Sequence, residues 1–257
     1  MPGEKQIQNQ KEELTMENLA TVDQTQDTTQ MTNNNRVMLH GTVVGTPKPT
    51  STIFGEGNVE LGLSVNRLSS IQDILPITVP KSMIENKILL PGMTVTIKGQ
   101  FRSYNQLIDG RSKLMLTVFV REVIEDYCPD NPNVIELVGY VCKQPIYRTT
   151  PFNREIADIL IAVNRTFGKS DYIPSIAWGR NARFADELTV GEKVYMTGRI
   201  QSREYQKKLG EDKVETRIAY EVSVGKLSKD PLESVFNEDD TAFIMDNEEM
   251  METLGLK

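Results

Sequence analysis

The feature that most restricts what this 257-residue chain can fold into is that it matches itself at one spacing. LHG at Leu39–Gly41 returns as LVG at Leu137–Gly139, and VNR at Val65–Arg67 returns at Val163–Arg165. Asp73 and Pro76 return as Asp171 and Pro174, again 98 residues on, while KG at Lys98–Gly99 meets TG at Thr197–Gly198 at a spacing of 99. Matches at one offset imply two copies of one folding unit, each near 95 residues, over 33–127 and 131–229. CPDNPN at 128–133 reads as the hinge between them. Outside the copies, residues 1–32 are rich in Gln, Thr, Asn and Glu and read as a disordered leader, and residues 230–257 form an acidic tail.

Each copy has the pattern of an all-β unit. In the second, residues 134–142, 156–165, 172–178, 193–205 and 214–224 alternate or are β-branched, and only 180–190 is helix-like, ending at Gly191. In the first, the strands fall at 35–44, 57–66, 74–79, 94–104 and 113–123, with a helix-like 81–88 and an Asp109-Gly110 turn. Three strands, a short helix and two more strands is the order of a five-stranded Greek-key barrel, the OB-fold. The expectation is two tandem OB-fold barrels, each with one short helix between strands 3 and 4, flanked by disordered tails.

Charge is unevenly distributed. Residues 1–32 carry 2 basic and 6 acidic groups, 33–130 carry 10 and 9, 131–229 carry 16 and 12, and 230–257 carry 1 and 9. The net charge of −7 therefore comes from the ends, and the second copy is positive, which suits a polyanion. Two cysteines, Cys128 and Cys142, lack CxxC spacing, and the single His40 cannot complete a metal site, so no metal or cofactor is expected. There is no GxxxxGK[ST] loop and no isolated carboxylate pair, which disfavours an enzyme. With no signal-like apolar core at the start and no run of about 18 apolar residues, the expectation is a soluble cytoplasmic, nucleoid-associated protein.

Residues 163–205 concentrate the chemistry. Phe167, Tyr172, Trp178 and Tyr205 are interleaved with Arg165, Lys169, Arg180, Arg183, Arg199 and Arg203. Unpaired bases stack on aromatic faces while Lys and Arg neutralise phosphates, and neither contact needs a particular base. On the fourth strand Val194, Met196 and Ile200 fall on one face, and Tyr195, Thr197, Arg199, Gln201, Arg203 and Tyr205 on the other, which is too basic to be buried unpaired. On the third, Tyr172, Ile176 and Trp178 share a face opposite Ile173, Ser175 and Ala177. A tryptophan on a strand is more often a packing residue than a ligand platform, so it is the combination that points to a single nucleic-acid strand.

NVIELVGYVCKQPIYRTTP, IADILIAVNRTF and DYIPSIAWGRNARFADELTVGEKVYMTGRIQSREY resemble bacterial single-stranded DNA-binding proteins across essentially the whole second copy. The resemblance puts the family's base-stacking positions at Phe167, Tyr172, Trp178 and Tyr205, and basic contact positions at Arg148, Arg180 and Arg203. With Arg165, Lys169, Arg199, Lys207 and Lys208 these make the candidate phosphate-binding set. It implies single-stranded DNA as partner, a role in replication, recombination and repair, and a homodimer supplying four barrels. The acidic tail is expected to dock replication and repair proteins through Asp239, Asp240 and Phe243, although DDTAF is internal here and the chain ends LGLK. In the first copy Ser69, Ile74, Pro80 and Gln106 stand at the stacking places, so that barrel is expected to serve mainly in pairing, with Phe54, Phe101, Arg102 and Tyr104 as a lesser site. The competing readings are a protein-interaction module on the same fold, as a primosome or recombination accessory, and an RNA-binding protein.

Overall fold

The computed structural model describes residues 34–50, 57–67, 71–108, 110–124, 127–165, 168–208 and 214–236. The leader, the tail beyond Phe236, Phe54, Ser69 and Phe167 lie outside these residues, as do the side chains of Lys207 and Lys208. The first half comprises β1 (Asn35–Pro49), β2 (Asn58–Asn66), β3 (Gln72–Pro80), α1 (Lys81–Glu85), β4 (Thr94–Ile108) and β5 (Arg111–Ile124). The second comprises β6 (Asn133–Val141), β7 (Ile146–Thr149), β8 (Glu155–Asn164), β9 (Ser170–Trp178), α2 (Arg180–Asp186), β10 (Lys193–Lys208) and β11 (Val214–Ser228).

Strand pairing closes on itself in each half. β1 pairs with β2, β2 with β3, β3 with β5 in parallel, β5 with β4, and β4 returns to β1. β6, β8, β9, β11 and β10 repeat this circuit, again with one parallel pair, β9–β11. Closure leaves no edge strand within each ring, and the alternation of the strands supplies what fills it. β2 buries Val59, Leu61, Leu63 and Val65 and turns the intervening residues outward. β8 and β9 do the same with Ile159, Ile161, Val163, Ile173 and Ala177. Each fully buried aliphatic side chain contributes about 1.5–3 kcal/mol. Gly41 and Gly139 recur in the repeat because the closing strand crosses there: a Cβ would lie 2.3 Å from the Ser64 carbonyl oxygen in one case and 2.6 Å from that of Ala162 in the other.

Several sequence expectations are revised. Both helices are shorter than the patterns suggested, because α2 stops at Asp186 and Leu188 is buried as a core residue beyond it. β7, a four-residue strand hairpinned onto β8, was not anticipated; it is too short to show a period. Phe101 is fully buried in the core and is no part of a surface site.

The two halves are joined as an isologous pair would be. β1 runs antiparallel to β6 with Val37 opposite Ile135, its own repeat equivalent, flanked by Asn35↔Leu137 and Leu39↔Asn133. Around this local two-fold the same contacts occur twice. Asn35 exchanges two hydrogen bonds of 2.8 Å with the Phe101 backbone, and Asn133 does so with Ile200 at 2.7 and 2.9 Å. Asp73, paired with Arg67, accepts from the Ser202 N–H and hydroxyl at 2.8 and 2.7 Å, while Arg67 donates to the Ser202 carbonyl at 2.9 Å. In the mirror contact Asp171, paired with Arg165, accepts from the Ser103 N–H at 2.5 Å, and Arg165 donates to the Ser103 carbonyl at 2.8 Å. Phe236 covers the junction, packed on Met38 and Val134 beneath the Arg36 guanidinium.

Candidate nucleic-acid interface

The outer face of β9, β11 and β10 gathers the residues singled out from the sequence. On β9, Ile173, Ser175 and Ala177 point inward and are buried, so Tyr172, Pro174, Ile176 and Trp178 point out. The parallel register sets Ser223 of β11 beside Ile176, and the antiparallel register then sets Arg199, Gln201, Arg203 and Tyr205 of β10 opposite Ser223, Glu221, Ala219 and Arg217. Of these eight outward positions, all but Pro174 and Ile176 carry aromatic, basic or amide residues. Tyr172 is 47% exposed, Trp178 40% and Tyr205 37%, so three large rings stand open on one surface.

The cations on this face are held in an alternating network. Glu221, only 5% exposed, accepts from Gln201 at 2.9 Å and from Nε and Nη2 of Arg203 at 3.2 Å each. Its hydrogen bond raises the Arg203 pKa above the ordinary value, so this guanidinium stays charged, and it lies over the Tyr205 ring at 6.0 Å. Arg148 on β7 stands opposite Ile156, which stands opposite Trp178, and it pairs with Asp158 at 2.9 Å. Arg148 and Arg203 are about half exposed despite these partners, so both can turn to a phosphate. Arg199 donates to Gln201 at 3.5 Å, and Arg180 and Lys169 are exposed at the ends of β9. Arg183 is drawn away to Glu155 at 2.5 Å.

Arg165 corrects the phosphate-binding expectation. Its guanidinium is engaged by Asp171 and the Ser103 carbonyl at the junction, and its side chain is only 20% exposed. The sequence carried the signal for this: Arg165 and Asp171 belong to the repeated pairs, and Arg67 and Asp73 make the same contact in the half without stacking residues. Three residues were missed. Glu221 and Asp158 were not distinguished from other strand acids, because only the cross-strand register brings them to the arginines. Phe152, 87% exposed in the β7–β8 turn and flanked by Arg148 and Arg154, is an aromatic at the rim of the barrel that the strand patterns did not register. Among the described residues no cluster of His, Cys, Asp or Glu could hold a metal, and no helix is long and apolar enough to cross a membrane.

Comparison with known proteins points the same way. Residues 132–227 match the model of the single-strand binding protein family. A single-stranded DNA-binding protein of Clostridium acetobutylicum is 33% identical over 96 residues, which are 35% of this chain and 67% of that one. One from Streptococcus agalactiae is 34% identical over 96 residues, or 35% and 70% of the two chains. Across eight curated relatives the matched stretch runs from 51% to 70% of their length. The crystal structure of wild-type single-stranded DNA binding protein from Thermus aquaticus superposes with a TM-score of 0.60 at 19% identity, over 80% of this chain and 97% of that one. The match reaches across both halves and establishes the fold.

Proposed function

Since this chain belongs to the single-strand binding protein family, we propose that it binds single-stranded DNA without sequence preference and protects it during replication, recombination and repair. The observation that carries this reading is the placement of Tyr172, Trp178 and Tyr205 as exposed rings on one face among Arg148, Arg199 and Arg203. It acts as a binding protein in the cytoplasm, not as an enzyme. Bases stack on the rings at about 1–3 kcal/mol each, and the arginines exchange their carboxylate partners for phosphates. With about four phosphates neutralised the single-strand salt slope is roughly −2.8, so binding weakens with salt and survives it.

Phe167 is the fourth platform of this reading, beside Lys169, and Lys207 and Lys208 extend the basic edge of β10. The first half works chiefly in pairing, two chains assemble into a homodimer of four barrels, and the acidic tail docks protein partners through Asp239, Asp240 and Phe243. Trp178 is the sole tryptophan, which gives a direct test. Oligo-dT is expected to quench its fluorescence strongly, and Trp178→Ala to lose about 1–3 kcal/mol of affinity. Absence of quenching would favour a protein-interaction module, and a preference for the ribose oligomer would favour RNA.

A further inference from the structure

Phe119 of the first half is buried, yet it stands apart from the clustered side chains that fill the barrel. Its neighbours Val118 and Val120 point inward, while Phe119 points out across from Gln100 of β4 and Thr78 of β3. Two guanidinium groups cover it: Arg102 lies 4.8 Å from the ring centroid and Arg121 lies 4.7 Å from it. Such an arrangement places like charges together, and no carboxylate pairs with either among the described residues. Arg102 spends two of its five donors on the Gln100 side-chain oxygen, at 2.6 and 3.2 Å. Burial, then the charges of Arg121 and Arg165, push the Arg102 pKa down to about 10.

The arrangement is built, and it is particular to this half. The β4–β5 register steps from Lys98↔Glu122 to Gly99↔Val120, so Arg121 is the extra residue of a β-bulge, a feature that re-aims a side chain. The matching bulge in the second half falls on Gly225, while Gln201 and Ser223 stand where Arg102 and Phe119 do. The first half therefore lacks stacking aromatics on β3 and carries an arginine stack on the same outer face.

We propose that Arg102, Phe119 and Arg121 form a second anion-binding locus that takes the sugar–phosphate backbone of the strand whose bases stack on the second half. The inference rests on the function proposed above. Continuity of the two surfaces supports nucleic acid as the occupant: Ser103, next to Arg102, accepts a 2.7 Å hydrogen bond from the Tyr172 N–H through its hydroxyl. A strand leaving Tyr172 meets guanidinium forks suited to phosphate.

The test uses the full chain and dT oligomers of graded length, read by Trp178 quenching. If no oligomer of any length binds the unaltered chain, the parent reading fails. Given binding, Arg102→Gln with Arg121→Gln should leave the shortest saturating oligomer unaffected and weaken long oligomers roughly ten- to thirtyfold at about 0.1 M salt, flattening the salt slope by about 1.4 for two phosphates. Arg121→Gln alone, at an exposed position on the bulge, keeps the test open if the double variant misfolds, and should flatten the slope by about 0.7. Unchanged affinity and slope on long oligomers would overturn the proposal. So would an equal loss on short and long ones, since that marks distortion at Tyr172 and no second locus.

Discussion

Replacing Asp73 by alanine tests how far the first half shapes the interface of the second. The Asp73 side chain is 1% exposed and accepts four hydrogen bonds: from Arg67 Nε and Nη2 at 2.6 and 2.7 Å, and from the N–H and hydroxyl of Ser202 at 2.8 and 2.7 Å. Ser202 lies between Gln201 and Arg203, so the contact grips the strand that carries the basic face. Truncation leaves the largely buried Arg67 guanidinium without its counter-charge and the Ser202 N–H without an acceptor. Breaking one side of such a pair costs about 3–5 kcal/mol, whereas Ser202→Ala, which removes one hydroxyl bond, costs about 1 kcal/mol.

Urea unfolding measures both. A dependence on pH adds an independent check. Burial acts to raise the Asp73 carboxyl pKa, but hydrogen bonds from Arg67 and Ser202 outweigh it and hold the pKa below the ordinary value. Its stabilising contribution is therefore complete above the unfolded pKa near 4 and is lost as pH falls through the lower folded value. The stability difference between the unaltered chain and Asp73→Asn should shrink along that acid limb. An Asp73→Ala cost below about 1 kcal/mol, or an Asn variant with the same acid dependence, would refute the reasoning.

Two further outcomes follow from the geometry. Glu221→Gln removes the acid that holds Arg203, which is half exposed and can then serve a phosphate, so oligo-dT affinity at low salt should rise and the salt slope steepen by about 0.7; a weaker complex with an unchanged slope would mean that Glu221 aligns the arginine. Gly139→Ala places a Cβ 2.6 Å from the Ala162 carbonyl oxygen, in backbone that cannot yield as a side chain does, and should destabilise by about 1–3 kcal/mol in thermal unfolding. A neutral substitution there would mean that the β6–β8 crossing is looser than its register indicates.

The candidate site was legible in part. Tyr172, Trp178 and Tyr205 could be assigned an outward face from alternation alone, because side-chain direction has a strict period along a strand. Charge partners could not. Asp158 and Glu221 lie many positions from Arg148 and Arg203 in the chain, and only the strand register makes them neighbours. The same blindness assigned Arg165 to phosphate, when its carboxylate partner and the Ser103 carbonyl bury it at the junction. Arg102 was assigned to a lesser site, but its partners Phe119 and Arg121 escaped notice for a related reason: a bulge shifts alternation by one residue, and nothing in the order of residues says where a bulge falls.

Internal repetition and alternation were enough to imply two copies of a small β barrel and to mark one of them as the aromatic, basic member, because both properties are written in local order along a strand. What required folded coordinates was everything that joins distant segments: the closure of each circuit, the local two-fold at Val37 and Ile135, the exchange of Ser103 and Ser202 between the halves, and the pairing of Arg148 and Arg203 with their carboxylates. Those depend on which strand lies beside which and in what register, and that choice is settled by packing a shared core, not by the preferences of any one stretch.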